Sequence, residues 1–395
     1  MNRMPRIPRS RDDDFAPDIV EARLRIAEAA ANRALTHVRG APVSPSTARG
    51  NIENFIGFAQ VPIGLAGPLT VDTAAGVHEV CVPLATNEGA LVASYARGMR
   101  LVNAGGGVRS RVVREGLTQN PMLVYADARA ALAAATLARG SFGEFQRLVD
   151  STTQHGRLVA LQPRVIGRRL IVELGFTTGD AIGINMAARA SDLVAAELAR
   201  RSAALTYYVH GQDVEKRANA RALFEGRGRS VVAEAVVPRA ALQEIARVTP
   251  EQLVEIRTSY AVGFAALGTH NGLVQAANGL AAVMLACGQD VAYLTECATG
   301  FLDLEPTPGG DLYASATLPS LLVGTVGGGS QKGTAAECLA LLGCSGDGQA
   351  NTFAEILGAL VLAGDLSLMA SFCTHEFVAA HERLGRNRPA DERSR

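Results

Sequence analysis

The 395-residue chain has no excess of charge: 38 basic residues face 38 acidic ones. Such a balance creates no field to attract nucleic acid or an anionic membrane surface, so a small-molecule partner is favoured. No CxxC pair occurs. The six cysteines (Cys81, Cys287, Cys297, Cys338, Cys344 and Cys373) are scattered, several within apolar helical stretches, and read as reduced core thiols of a cytoplasmic protein. The N-terminal MNRMPRIPRSRDDDF contains no apolar segment, and nowhere do eighteen apolar residues run uninterrupted. Neither a signal peptide nor a membrane span is predicted. Repeats and low-complexity tracts are absent.

Several chemistries lack their motif. GxxxxGK[ST] is missing, and GCSGDG fails as a GxSxG nucleophile elbow because Asp347 stands where the last glycine is required. THEFVAAH superficially suggests a zinc helix. Its His375 and His381 are six residues apart, on opposite helix faces, and no metal site is expected.

Among the stretches present, Asn271–Asp290 (NGLVQAANGLAAVMLACGQD) is the most organised. From Leu273 to Ala286 it is apolar on nearly every face, which predicts a helix buried on all sides with a core packed round it. Asp290 then falls near a helix C-terminus, where the macrodipole disfavours an anion and a neighbouring cation is expected. A simple turn residue, or a helix continuing through Val291, fits these residues equally well.

Residues 1–16 have the composition of a disordered tail, and Pro17–Val38 has helical periodicity ended by Gly40 and Pro42. Asn51–Leu69 mixes aromatics, glycines and prolines like an ordered ligand-binding loop with a short strand. A strand pair near 69–84 precedes ATNEGALVASYARGMRLVNAGGG, a helix with Glu88 in its first turn and Gly105–Gly107 at its end. An acid in a first turn is stabilised by the dipole and needs no other reason to be there. Between about 111 and 208 the pattern becomes strand, helix, strand, strand, helix, as in a compact α+β insertion. Its turn Thr177–Asn185 leaves a strand and enters a helix whose amides suit a phosphate, though it is not GxGxxG. The polar run His210–Ser230 reads as a solvated face. Asp311–Gly333 reads as a strand entering a loop with Gly324, Gly327, Gly328 and Gly329, which implies positive φ or close approach of a ligand. Phe353–Leu384 is long and helical.

Seven of these pieces, in order, resemble the catalytic portion of the 3-hydroxy-3-methylglutaryl-CoA (HMG-CoA) reductase family: ENFIGFAQVPIGLAGPL, ATNEGALVAS, GDAIGINM, EGRGRSVVAEAVVP, QAANGLAAVMLACGQD, LPSLLVGTVGGG and AGDLSLMAS, together covering about 50–388. The form GDAIGINM resembles the eukaryote-like class. The resemblance implies an α+β fold in which a large domain (51–115 and 209–395, behind an N-terminal tail and helix, 1–50) surrounds one long buried helix, expected at the Asn271–Asp290 stretch. Into it is inserted a ferredoxin-like small nucleotide-binding domain (116–208). It also implies an obligate homodimer or higher homo-oligomer with shared active sites, an acyl-CoA substrate, and no nucleic-acid or membrane partner.

By that resemblance Glu88, Lys216, Asp290 and His381 take the catalytic positions. Lys216 would stabilise oxygen charge during thioester reduction, Asp290 would hold Lys216, His381 would protonate the departing thiolate, and Glu88, raised by burial beside Asp290, would donate a proton to the bound aldehyde. Asp180, Ala181, Ile182, Gly183 and Asn185, with Gly327, Gly328 and Gly329, would cradle the dinucleotide. Glu53, Asn54 and Arg111 would meet coenzyme A, and Gln119, Ser259, Gln275 and Asn278 would face the acyl group. NADP(H) is favoured over NAD(H), although Gln154 stands where the family has an arginine for the 2′-phosphate.

Several positions depart from the family. Gln119 replaces an arginine, Ser259 a second cation, Gln275 a histidine, and His210 a serine. Two lost cations weaken binding of a free acyl carboxylate, since each charge-assisted hydrogen bond is worth about 1.5–3 kcal/mol. The expected activity is therefore NAD(P)H-dependent reduction of HMG-CoA, or of a less anionic acyl thioester. The alternative is a catalytically inactive paralogue that binds CoA or nucleotide.

Overall fold

A computed structural model describes residues 5–10, 17–38, 51, 59–153, 155–210 and 214–374. The elements run α1 (Pro17–Ala31), β1 (Ile63–Thr73), β2 (Gly76–Ala85), α2 (Leu91–Ala104), β3 (Val108–Gln119), β4 (Met122–Val124), α3 (Ala128–Gly140), α4 (Phe142–Asp150), β5 (Arg157–Ile166), β6 (Arg169–Thr177), α5 (Ile184–Ser202) and β7 (Thr206–Tyr208). There follow α6 (Ala220–Phe224), β8 (Gly228–Val237), α7 (Arg239–Ala241), α8 (Pro250–Ala266), α9 (Ala276–Ala286), α10 (Leu294–Cys297), β9 (Phe301–Pro306), β10 (Leu312–Leu321), α11 (Gly333–Leu341) and α12 (Ala350–Cys373). Five cysteines are buried, and none forms a disulfide.

Strand β3 joins two parts of the molecule. Its first part, Arg109–Gly116, pairs antiparallel with β8, while Leu117–Gln119 pairs antiparallel with β6. From there β4, α3, α4, β5, β6, α5 and β7 make a sheet in the order β7-β4-β6-β5, antiparallel throughout. This β-α-β-β-α-β arrangement is the ferredoxin-like topology. On the other side of β3, strands β8, β10 and β9 continue the sheet, and the β1–β2 hairpin joins through a short parallel pairing of β1 with β3.

Helix α12 fills the centre of the larger part. It is apolar on every face and buried along nearly its whole length, against α2, α9, β3 and β8. It is long and apolar enough to cross a membrane, but here the protein itself covers it. Small residues set its contacts: a Cβ on Gly98 of α2 would lie 1.8 Å from the Ala363 carbonyl oxygen. The buried helix is therefore the 24-residue α12 and not the Asn271–Asp290 stretch, which supplies only the 11-residue α9. The shorter length has a local cause. Asn271 Oδ1 accepts from Leu273 N–H at 3.2 Å, and Asp365 of α12 accepts from Val274 and Gln275 N–H at 3.0 and 2.8 Å, so the preceding amides are bound by side chains. Ala277, Asn278 and Leu285 leave one face of α9 exposed, against the expectation of burial on all sides.

A recurrent device holds the loops. Four buried carboxylates each accept backbone N–H groups from a distant segment: Glu296 from Lys216, Glu337 from His37 and Val38, Glu355 from Ala74 and Val112, and Asp365 from Val274 and Gln275. An unpaired buried carboxylate is costly, so each loop has one strongly preferred position.

Candidate active site

Lys216 and Asp290, 74 positions apart in sequence, meet at 2.7 Å between Nζ and Oδ2. Both side chains are close to half exposed, 41% and 45%, and a pair so exposed contributes about 1 kcal/mol or less to stability. Its geometry is maintained from elsewhere. Asp290 is not at the end of α9 but caps the 3₁₀ turn Val291–Tyr293, accepting from Ala292 N–H at 3.0 Å, where the N-terminal dipole favours an anion. Lys216 is left-handed, φ 56°, a conformation costing of order 1–3 kcal/mol outside glycine. Its N–H donates to Glu296 Oε1 at 2.8 Å.

Glu296 is fully buried, and burial raises its carboxyl above the ordinary range while Arg227 opposes the rise. Arg227, itself 2% exposed, donates through Nη1 to both Glu296 oxygens at 3.2 and 3.3 Å and approaches Glu215 Oε2 at 3.6 Å. Glu215 also accepts from Gln119 Nε2 at 3.4 Å and from the Tyr293 hydroxyl. The polar run read as a solvated face thus turns inward at Glu215 and Arg227, while Lys216 stays exposed.

The glycine loop after β10 adjoins this pair. Gln289, next to Asp290, donates to Gly324 O at 3.0 Å and accepts from Gly324 N–H at 2.9 Å. Asp180 O accepts from Thr325 N–H at 2.9 Å, joining the 177–185 turn to the same loop. The Asp180 carboxylate is already engaged, accepting from Gly348 N–H at 2.7 Å and Ala350 N–H at 3.0 Å at the start of α12. Arg229 ties Gly179 O, Val323 O and Asn351 Oδ1 together at 2.6, 2.7 and 2.6 Å. What stays open is backbone. Among the described residues, Gly183 precedes the 19-residue α5 with no side-chain cap, and added Cβ atoms on Gly327 and Gly328, both at positive φ, would meet nothing within 4 Å. Ala181, Ile182 and Asn185 surround the same helix start, while Gly329 packs on Gly288. Free amides at a long helix start beside an open glycine loop fit the phosphates of a dinucleotide.

Glu88 departs from expectation. It lies in the loop before α2, which starts only at Leu91, and it is exposed rather than buried beside Asp290. Its carboxylate accepts from Asn278 Nδ2 at 2.8 Å, in the first turn of α9, and among the described residues no hydrogen bond joins it to Lys216 or Asp290. Asp290 follows the other end of that helix.

Residues 19–386 match the family model for hydroxymethylglutaryl-coenzyme A reductase. The chain belongs to the hydroxymethylglutaryl-coenzyme A reductase family. It is 37% identical over 376 residues to the 3-hydroxy-3-methylglutaryl-coenzyme A reductase of Pyrococcus abyssi, covering 93% of this chain and 92% of that protein. It is 36% identical to the Haloferax volcanii reductase over 378 residues, 94% of each. In three dimensions it is similar to the class II reductase of Streptococcus pneumoniae bound to NADPH, with TM-score 0.73, 19% identity, and coverage of 89% of this chain and 96% of that one.

The reductase positions that depart in sequence are also placed. Gln119 is fully buried against Glu215, its Oε1 without a partner among the described residues, and Ser259 is exposed on α8. Gln275, expected at the acyl group, is buried in a tie between helices. Its backbone bonds Asp365 and the Tyr95 hydroxyl, and its Oε1 accepts from Ser94 Oγ at 3.3 Å. Arg111 is held by Asp72 on the edge of β1, at 3.0 Å between Nη2 and Oδ1. His381, Glu53, Asn54 and Gln154 lie outside the described residues. Sequence reasoning missed Glu215, Arg227, Gln289, Tyr293 and Glu296. Gln289 and Arg227 stood inside quoted motifs, whereas Glu296, in the short TEC segment, gave no signal.

Proposed function

We propose that this reductase-family chain converts HMG-CoA to mevalonate with two equivalents of reduced nicotinamide nucleotide, releasing coenzyme A. The observation that carries the reading is the Lys216–Asp290 pair at 2.7 Å, set beside the loop that Gln289 pins. The nucleotide, when bound, supplies hydride. Lys216 places an ammonium where charge builds on the thioester oxygen, an interaction stronger in the transition state than in the ground state. Asp290 holds that ammonium in position. After the hemithioacetal collapses, His381 protonates the coenzyme A thiolate, and Glu88, oriented by Asn278, delivers a proton to the aldehyde oxygen. The open amides of Gly327, Gly328 and the α5 start hold the dinucleotide, for which we favour NADPH over NADH.

The exposed apolar Val262 of α8 and Leu267 just after it, at 68% and 85%, and Leu285 of α9 support a homodimer in which a second copy covers this face. The placement of Glu88 supports active sites shared between subunits. With its unpaired thiols, the protein belongs in the cytoplasm. A less anionic acyl thioester is the second reading, favoured by buried Gln119 and neutral Ser259 where cations were expected. The intact Lys216–Asp290 pair argues against an inactive paralogue. Steady-state kinetics with HMG-CoA and with acyl-CoAs lacking the free carboxylate separate these readings. Mevalonate formation at micromolar HMG-CoA supports the first, turnover confined to uncharged acyl-CoAs supports the second, and no turnover with any thioester contradicts both.

A further inference from the structure

Lys216 and Lys332 are the only lysines in 395 residues, so nearly all positive charge is carried by arginine. A guanidinium would suit a plain salt bridge to Asp290. A compact ammonium at position 216 instead lies over an aromatic face, with Nζ 4.7 Å from the centroid of the Tyr293 ring. Tyr293 is 3% exposed, and its hydroxyl donates to Glu215, the residue immediately before Lys216. Glu215 is in turn approached by Gln119 and Arg227. A single side chain therefore contacts both the reacting ammonium and the loop that carries it.

We propose that Tyr293 is a positioning residue for Lys216, its ring supporting the ammonium beside Asp290. This rests on the assignment of Lys216 to the reacting carbonyl. The ring attracts the cation without taking one of its three N–H donors. Asp290 accepts one donor, and the others remain for the oxygen on which charge develops. The carboxylate alone would let the flexible lysine stem swing about one contact, whereas the ring removes that freedom.

The test uses the full chain with Tyr293→Phe, which keeps the ring, and Tyr293→Met, which keeps an apolar side chain without it. Loss of a cation–π contact to this half-exposed ammonium predicts about a 2- to 5-fold fall in kcat for Y293M, with the nucleotide KM unchanged and most activity restored in Y293F. The second readout needs no turnover. With two lysines, labelling by an amine-directed acylating reagent and peptide mass analysis resolve each site. Lys216 should label at least about threefold faster in Y293M than in wild type or Y293F, because one covered face has been opened, while Lys332 serves as internal control. Equal Lys216 labelling in all three proteins overturns the proposal, as does a Y293F loss equal to that of Y293M. If Y293M does not fold, as judged by changed Lys332 labelling and a lost thermal transition, Tyr293→Leu replaces it under the same criteria. If the wild-type chain reduces no thioester while the labelling difference holds, the functional reading fails and the positioning of Lys216 stands.

Discussion

Gln289 and Gly324 form a closed amide pair, Oε1 accepting from the glycine N–H at 2.9 Å and Nε2 donating to the glycine carbonyl at 3.0 Å. The residue beside Asp290 thereby sets the height of the glycine loop. The Lys216–Asp290 pair and the proposed nucleotide cradle are built as one unit.

Gln289→Ala leaves the Gly324 N–H and C=O without their partner, a loss of about 1–3 kcal/mol for buried groups. Nucleotide binding should weaken about tenfold or more, with a smaller change in the thioester KM. Fluorescence titration with NADPH and a KM comparison check this, and unchanged nucleotide affinity would mean the loop is held by Asp180 and Arg229 alone.

Glu296→Ala removes both carboxylate oxygens that the buried Arg227 hydrogen-bonds and leaves it only Glu215 at 3.6 Å, a change that costs about 3 kcal/mol. The melting temperature should drop by several degrees, and kcat should fall because Lys216 loses the partner of its left-handed turn. Adding Arg227→Met should recover part of the stability but not the activity. Calorimetry on the single and double variants reads both.

Asp365 is fully buried, and burial raises its carboxyl to about 7 although two backbone N–H groups and Arg257 oppose the rise. Its folded pKa lies above its unfolded value, near 3.9, so the native state binds the extra proton between the two. The stability it contributes is complete below about pH 4 and is lost as pH rises through about 7, a swing on the order of 4 kcal/mol. Asp365→Asn keeps an acceptor without the ionisation, so its melting temperature should vary less between pH 5 and 8 than that of wild type. Parallel slopes in a thermal-shift series would contradict the assignment.

Much of this was legible in the sequence because it rests on local pattern. The β1–β2 hairpin, the strand-to-helix turn before α5 and the glycine loop after β10 lie where periodicity and turn residues put them, whereas the ferredoxin-like topology of the insertion follows only from the family resemblance. Only the family resemblance joins Lys216 to Asp290 in the sequence. What could not be read was the placement of tertiary partners. Apolarity alone made α9 look like the central helix, because nothing local says that Asp365, some ninety residues onward, binds the amides before it. Glu88 was expected in a helical first turn, but α2 begins three residues later, and Gln275 looked like a ligand residue until its backbone was found between Tyr95 and Asp365. Glu296 and Tyr293 were invisible because their roles exist only across the fold.

The most direct test is to assay purified wild type and Lys216→Ala with HMG-CoA and NADPH, following nucleotide oxidation and mevalonate together. Two nucleotides should be oxidised per mevalonate, and the variant should lose about 10²–10³ in kcat, the loss typical for a donor at a developing oxyanion, while its affinity for NADPH is kept. Turnover unchanged in Lys216→Ala, or no mevalonate from folded wild type at any HMG-CoA concentration, would contradict the account.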